Sequence, residues 1–305
     1  MQEIIAPVPR NLLKKELTKE RFLRNTNYGE RQVYIITAHD SPHSMQEIGR
    51  LREFTFREAG GGRGESVDID EFDTMNNPYK QLLVWDPKDE QIVGGYRFLE
   101  GPQVQITANG MPLLSTTEIF SFSDRFLKDY LPKTIELGRS FIQPSYQSSR
   151  KGIFSLDNLW DGLGGLVNLY PKNEYFFGKV TMYTSFQKEA RDTLLYFVKK
   201  YHQDHDLLIV PIEPLKLITP EEKLEKLFQG LSLEDAFKVA IKRIRELGEN
   251  IPPLFSSYLK LSPTMKSFGT AINNHFGNVE ETGILIKIDE IYHSKKERHI
   301  SQNRK

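Results

Sequence analysis

One stretch, residues 135–152 (IELGRSFIQPSYQSSRKG), constrains the fold of this chain more than any other. Its first part reads as a strand that Pro144 closes, and the residues after Gly152 place apolar side chains on one face of a helix. A strand that runs through a short loop into a helix leaves free backbone N–H groups and the positive end of the helix dipole beside the loop. Arg150 and Lys151 add positive charge there. The stretch predicts an anion-binding turn; an ordinary loop with solvated bases is the alternative.

Apolar spacing along residues 33–201 predicts a mixed α/β fold. The predicted order is strand, helix, three strands, helix, strand, helix, and the second and third strands meet at a Asp86-Pro87 turn. These patterns by themselves predict an α/β protein; one domain over residues 31–292, with a mixed central sheet flanked by helices, is what the family resemblance given below implies. The predicted strands in this part are residues 33–37, 81–85, 91–99, 135–142 and 175–183, and the predicted helices are residues 44–56, 153–169 and 187–201. Two further strands are predicted at residues 207–212 and 283–288.

The two ends and one internal segment are predicted to lie outside the core pattern. Residues 1–30 read as an N-terminal arm with a short surface helix. Residues 219–250 read as a helical insertion, because Thr219-Pro220 and Ser232 are typical helix starts. Residues 293–305 form a basic tail, which we expect to be disordered or weakly attracted to anionic lipid headgroups or an acidic carrier protein.

Composition excludes several classes of function. Lys and Arg number 41 and so do Asp and Glu, so the chain lacks the positive potential that non-specific nucleic-acid binding needs. The chain has no cysteine, which excludes disulfides, thiolate metal sites and a cysteine nucleophile. His202 and His205 lack further ligands in a metal-binding pattern, and we predict no metal site. With no apolar run of about 20 residues and no secretory start, we expect a cytoplasmic protein, peripheral to the membrane at most.

The loop after the strand resembles that of the GNAT superfamily of acyltransferases. In that family a loop of the type V-x-P-x-Y-[QR]-x-x-G holds the pantetheine arm of an acyl thioester, and the corresponding residues here are Ile142, Pro144, Tyr146, Gln147, Arg150 and Gly152. The resemblance implies that the backbone N–H groups of Phe141 and Ile142 stabilise the thioester oxyanion, and that Lys151 also lies at the phosphate. The loop has fewer glycines than acetyl-CoA binders have, which favours the phosphopantetheine of an acyl carrier protein as donor, with no permanently bound cofactor.

Four further motifs are similar to the signature of acyl-homoserine-lactone synthases and of ornithine-lipid type N-acyltransferases. They are Arg52-x3-Phe56, Asp68-x-Asp70-x2-Asp73, Gly94-x2-Arg97 and Glu136-x2-Arg139. Asp68 stands where the signature prefers Glu, and the Trp expected after Phe56 is replaced by a glycine-rich GGGRG. These departures count against a homoserine-lactone synthase, which would use S-adenosylmethionine. The segment FGTAINNHFG at residues 268–277 most resembles enzymes that make N-acyl glycine.

The resemblance implies roles for the motif residues. Glu136 is the first choice for the base that takes a proton from the acceptor amine, and its alternative role is a buried ion pair with Arg139. Tyr183 or Ser185 stands where the superfamily keeps an acid for the departing thiolate. The three aspartates either recognise the substrate ammonium or organise the three arginines into a network, and we favour the network.

These implications together give an expected function. The chain is expected to move a long-chain, 3-hydroxylated acyl group from acyl carrier protein to the α-amine of a small amino acid, glycine before ornithine. One alternative is a short-chain acetyltransferase that uses acetyl-CoA. The other is a scaffold that binds acyl lipids without turnover.

Overall fold

The computed structural model describes residues 1–147, 152 and 154–301. Arg150 and Lys151, both predicted to bind phosphate, lie outside the described residues. The helices are α1 (Arg10–Glu16), α2 (Pro42–Glu58), α3 (Glu71–Thr74), α4 (Ser155–Leu169), α5 (Lys188–His202), α6 (Glu221–Phe228), α7 (Leu233–Glu246), α8 (Pro253–Leu259) and α9 (His293–His299). The strands are β1 (Phe22–Asn25), β2 (Gln32–Ile36), β3 (Lys80–Asp86), β4 (Gln91–Glu100), β5 (Phe120–Phe122), β6 (Thr134–Ile142), β7 (Tyr175–Met182), β8 (Ile209–Pro211), β9 (Lys266–Asn273) and β10 (Val279–Lys287).

A mixed eight-stranded sheet forms the centre of the molecule, in the order β1-β2-β3-β4-β6-β7-β10-β9. Neighbouring strands are antiparallel except β6 and β7, which are parallel because helix α4 crosses between them. β5 and β8 pair in a separate two-stranded sheet. The predicted α/β class, with a mixed sheet flanked by helices, is confirmed.

Helices cover both faces of the sheet. Alternate residues of β3 point to opposite faces, so Leu82 packs with α4 and α5 in one core while Leu83 packs with α2 in another. A third core lies on the same face of the sheet as α2, where the β5–β8 pair and the segment around Phe126 cover β4, β7, β9 and β10. Below, the face of the sheet that packs on α4 and α5 is called the α4 face, and the face that packs on α2 is called the α2 face.

The sheet opens between β6 and β7. Parallel pairing of the two strands ends at Leu137 and Gly178. On its other side β6 stays paired with β4, but three steps from Gly138 to Phe141 oppose two steps on β4, which defines a β-bulge. Arg139 lies in the bulge with φ of 47°, in the left-handed region. The bulge turns the end of β6 away from β7 and leaves one edge of β6 unpaired there.

The two chain ends are more ordered than the sequence predicts. Within the predicted arm, β1 joins the sheet, and the Arg24 side chain donates to the carbonyls of Asp161 and His299 at 3.1 and 2.8 Å. The first part of the predicted disordered tail forms α9, which packs on α4, where His299 Nδ1 lies 2.8 Å from Asp161 Oδ1. β1 and α9 are held in place because they bury polar groups against α4.

The predicted helical segment contains α6 and α7. Ser232 caps α7, since its hydroxyl accepts a hydrogen bond from the backbone N–H of Asp235 at 3.2 Å. The predicted cap at Thr219 is wrong, because Pro220 occupies the N-cap position of α6 and this helix start has no side-chain cap hydrogen bond. β9 was not predicted at all.

Candidate active site

A cleft of about 380 Å³ passes through the opening between β6 and β7. On the α4 face its wall is apolar and includes Leu156, Leu159 and Leu254. On the α2 face its wall includes Phe56 and Phe276, whose rings meet edge to face at 5.0 Å. The cleft therefore connects two chemically different approaches to one point on β6.

The opened edge of β6 presents the predicted backbone donor. Gln143 N–H donates to the Val93 carbonyl at 3.0 Å, toward β4. Because successive N–H groups of a strand point to opposite edges, the N–H of Ile142 points toward the opening. Phe141 N–H points back toward β4, so of the two predicted oxyanion donors the geometry favours Ile142. Both residues line the cleft.

The described part of the predicted anion-binding loop closes one end of the cleft. Tyr146 is 1% exposed, and its hydroxyl donates to Asp89 at 2.9 Å and lies 3.2 Å from Asp86. Gln147 Nε2 donates to the Ile142 carbonyl at 2.6 Å. A Cβ at Gly152 would lie 2.3 Å from the Tyr146 carbonyl oxygen, so a larger residue would displace the loop. Tyr146, Gln147 and Gly152 all line the cleft, as predicted residues of the pantetheine site.

The predicted arginine–aspartate network is present and buried. Arg52 pairs with Asp73 at 3.2 Å, and Arg97 pairs with Asp70 at 2.7 Å. Burial opposes ionisation of Asp70, but Arg97 and Arg139 hold its pKa well below the usual range. Burial raises the pKa of Asp68, which lies against Arg139. Three arginines balance three aspartates, and the network ties α2, α3, β4 and the β6 bulge together.

Arg139 connects this network to the cleft. Its Nε lies 2.9 Å from Asp68 and its Nη2 lies 3.4 Å from Asp70. Its guanidinium also stacks over the Phe276 ring at 4.2 Å. These contacts fix the side chain of the bulge residue, so the width of the opening depends on the network.

Glu136 lies apart from the cleft. It is 1% exposed and accepts hydrogen bonds from the hydroxyls of Tyr79 and Thr116, the latter at 2.8 Å. Burial raises its pKa. It is not among the described residues that line the cleft, and in the described chain no ion pair joins it to Arg139. In the structure, Glu136 therefore neither borders the cleft, as a base for the acceptor would, nor forms the predicted ion pair with Arg139.

A carboxylate that the sequence did not indicate does line the cleft. Glu281 on β10 pairs with Lys179 on β7 at 2.5 Å, and it accepts hydrogen bonds from Asn273 at 2.8 Å and Thr181 at 3.1 Å. Burial opposes its ionisation, but Lys179 and Asn273 lower its pKa nonetheless. Strand pairing between β7 and β10 brings these residues together. Lys179 is a charge inside the predicted strand 175–183, but Glu281 lies in no predicted strand, so the sequence carried no signal for the pair.

Of the two predicted acids, the structure brings one to the cleft. Tyr183 lines the cleft, and burial together with the charge of Glu281 raises its pKa to about 12. Its hydroxyl therefore stays protonated at neutral pH and can donate a hydrogen bond, but the raised pKa makes it a weaker acid than an ordinary tyrosine. Ser185 is exposed in the turn after β7 and does not line the cleft, because the chain turns away toward α5.

Residues 1–147, 152 and 154–301 contain no group of three or more His, Asp or Glu side chains arranged to bind a metal ion. In the same residues, no helix has the length and apolar character needed to cross a membrane.

Several known proteins have sequences similar to that of this chain. Residues 51–155 match the family described as acetyltransferase (GNAT) domain. Two proteins, each called glycine N(alpha)-acyltransferase, align over 98% of this chain: that of Bacteroides thetaiotaomicron at 56% identity over 90% of its length, and that of Phocaeicola vulgatus at 54% identity over 93%. An L-ornithine N(alpha)-acyltransferase of Brucella abortus is 32% identical over 40% of this chain and 44% of its own.

One solved structure was also compared. It is FeeM, an N-acyl amino acid synthase from uncultured soil microbes, which aligns over 85% of this chain and 91% of its own with a TM-score of 0.39 and 9% identity. The sequence comparisons and the fold agree with the predicted resemblance. The chain is an acyltransferase and belongs to the GNAT family, in the group of amino-acid N-acyltransferases that contains the glycine Nα-acyltransferases.

Proposed function

We propose that this protein transfers a long-chain fatty acyl group from the phosphopantetheine thioester of acyl carrier protein to the α-amine of glycine. The observation that carries the proposal is the cleft through the opened β6–β7 edge, with an apolar approach on the α4 face and a charged approach on the α2 face. An acyl thioester is apolar and glycine is charged, so each approach suits one substrate. The full-length similarity to proteins called glycine N(alpha)-acyltransferase supports glycine as the acceptor.

The chemistry follows from the groups at the opening. The amine nitrogen attacks the thioester carbonyl carbon, a C–N bond forms, and the C–S bond breaks with its electron pair passing to sulfur. The Ile142 N–H points to where the carbonyl oxygen becomes an oxyanion and would stabilise it. Tyr183 keeps its proton at neutral pH and would donate a hydrogen bond to the sulfur of the departing thiolate.

The donor is proposed on the shape of the α4 approach. Leu156, Leu159 and Leu254 offer an apolar wall to an extended chain. The unpaired edge of β6 would pair with the amides of a pantetheine arm as an added strand does. The loop at Tyr146 is compact, because Gly152 packs directly on the Tyr146 carbonyl, and this favours the single phosphate of a carrier-protein arm. A 3-hydroxyl on the acyl chain belongs to the same proposal.

Product formation tests donor and acceptor together. The purified protein is incubated with 3-hydroxypalmitoyl carrier protein and a mixture of glycine, serine and ornithine, with palmitoyl-CoA and acetyl-CoA as parallel donors, and products are identified by mass spectrometry. N-acyl glycine from the carrier-protein donor is the expected result. Product from acetyl-CoA alone would replace the proposal with a short-chain acetyltransferase, and no product in any reaction would favour a non-catalytic lipid-binding protein.

A further inference from the structure

The charged residues that line the cleft, among those the structure describes, are Arg139, Lys179 and Glu281. Arg139 is already engaged by Asp68 and Asp70 and by the ring of Phe276. Lys179 and Glu281 are therefore the charged side chains in the cleft that can form ion pairs with a substrate. We propose that this pair is the binding site for the acceptor amino acid: Lys179 holds its carboxylate, and Glu281 holds its ammonium group and takes the first proton from it.

The position of the pair on the sheet suits an acceptor. Gly283 of β10 lies opposite Lys179 and Glu281 lies opposite Thr181, so Lys179 and Glu281 are diagonal neighbours on two adjacent strands. Glu281 shares its face with Val279 and Leu285, whose side chains pack in the cores of the α2 face. The pair thus faces the approach opposite α4, and an amine held there would reach the thioester through the opening of the sheet.

The pair is held in place by groups that do not depend on substrate. Glu281 accepts from Asn273 and Thr181, so its orientation persists when Lys179 moves away. The side chains of Lys179 and Glu281 are 9% and 3% exposed. Lys179 carries three N–H donors, and its contact with Glu281 occupies one of them. The remaining donors can meet a carboxylate.

A zwitterion can enter this pair without adding net charge to a buried site. When the acceptor's ammonium meets Glu281 and its carboxylate meets Lys179, one ion pair is replaced by two. An uncompensated charge in such a site is costly, because burial removes its hydration. A second ammonium, as in ornithine, would bring that cost, since the arginine–aspartate network beside the site is already balanced. The site therefore favours a neutral amino acid with a free carboxylate.

The protons that the reaction releases can be followed from the acceptor to the products. The ammonium group of the acceptor carries three protons. One passes to Glu281 before attack and later to solvent, one passes to the thiolate sulfur when the C–N bond is made, and one stays on the amide nitrogen. Glu281 touches the acceptor in this scheme and is a catalytic residue, while Arg139 acts through the bulge and is a positioning residue.

This inference rests on the proposed function, and acceptor analogues test it separately. Glycinamide lacks the carboxylate that Lys179 would hold but retains the amine. The wild-type enzyme is expected to prefer glycine over glycinamide in kcat/KM by about 10- to 100-fold, the range expected for one buried charged hydrogen-bonded contact. Lys179→Met should lose this preference, and Lys179→Arg should keep it.

Glu281→Gln has a matched control on the same strand. Glu280 is also buried and pairs with Arg191 at 2.7 Å, but it points to the opposite face of the sheet, away from the cleft. Both substitutions remove one buried carboxylate from an ion pair. Glu281→Gln should lower kcat at least about 100-fold, as expected for loss of a general base, whereas Glu280→Gln should lower the melting temperature comparably and leave kcat within about threefold, since it touches no reacting group.

The outcomes separate the two proposals. If the wild type acylates glycine but uses glycinamide equally well, or if Lys179→Met retains the preference, the acceptor site is wrong and the function stands. If Glu280→Gln and Glu281→Gln lose activity equally, Glu281 has only a structural role. If the wild type acylates no amino acid, the proposed function itself fails. The analogue comparison on the wild type needs no variant, so a variant that fails to fold does not remove the test.

Discussion

Asp73→Asn tests whether the arginine–aspartate network stabilises the fold. Asp73 is fully buried, pairs with Arg52 at 3.2 Å and accepts from Gln81 at 2.9 Å. Asn has nearly the same shape but no charge, so the three arginines would face two aspartates and Arg52, which is also fully buried, would lose its ionic partner. Removing one partner of a buried pair costs about 3 to 5 kcal/mol. For a domain of this size that corresponds to a fall in melting temperature on the order of 10 °C.

The assay is thermal unfolding followed by circular dichroism, with urea unfolding as a second measure of the unfolding free energy. Asp124→Asn is the matched control, because Asp124 meets Lys128 at 3.6 Å with its side chain 89% exposed. An exposed pair of this kind contributes about 0 to 1 kcal/mol, so the control should melt near the wild type. If Asp73→Asn melts within about 2 °C of the control, the charge balance of the network does not stabilise the fold and the reasoning is refuted.

Three further predictions address the loop, the oxyanion donor and pH. Gly152→Ala pushes a Cβ into the Tyr146 carbonyl, so KM for the acyl donor should rise about tenfold or more while KM for glycine is unchanged. Ile142→Pro removes the N–H at the unpaired edge and should lower kcat about 100- to 1,000-fold, whereas Ile142→Ala, which keeps the N–H, should not. Burial lowers the pKa of His202 below its ordinary 6.5. The unfolded chain therefore binds this proton more readily than the folded one, and the free energy of unfolding should fall as the pH drops below 6.5. His202→Gln should remove this part of the pH dependence, as measured by urea unfolding at a series of pH values.

Local patterns were sufficient to predict most of the sheet. β2, β3, β4, β6 and β7 each carry their own alternating or β-branched run, and α4 and α5 each carry an apolar face. β9 was missed because its residues include Gly269, whose positive φ lies in a bulge, and polar residues at half of its positions. β1 was missed because its four residues read as part of a charged helix until β2 pairs with them.

The residues of the candidate site were likewise predictable only in part. Tyr146, Gln147 and Gly152 lie in one continuous loop, so their proximity in space follows from their proximity in the chain. Lys179 and Glu281 are brought together only by the pairing of β7 with β10, about which the separate strand patterns carry no information. The family resemblance led to Glu136 as the predicted base because Glu136 belongs to one of the motifs. Glu281 belongs to none of them, and nothing in the sequence shows which face of a strand borders a cleft.

Most of the charged signature residues and the residues that line the cleft occupy different places in this fold. Arg52, Arg97 and the three aspartates lie beneath the bulge and away from the described lining of the cleft, and Arg139 alone of these charges reaches it. A network in this position holds the bulge residue in place and, Arg139 apart, does not border the space that the amine enters. That is consistent with the occurrence of similar motifs in enzymes with quite different acceptors. Acceptor choice then depends on residues outside the signature, and in this chain the charged pair on β7 and β10 occupies that position.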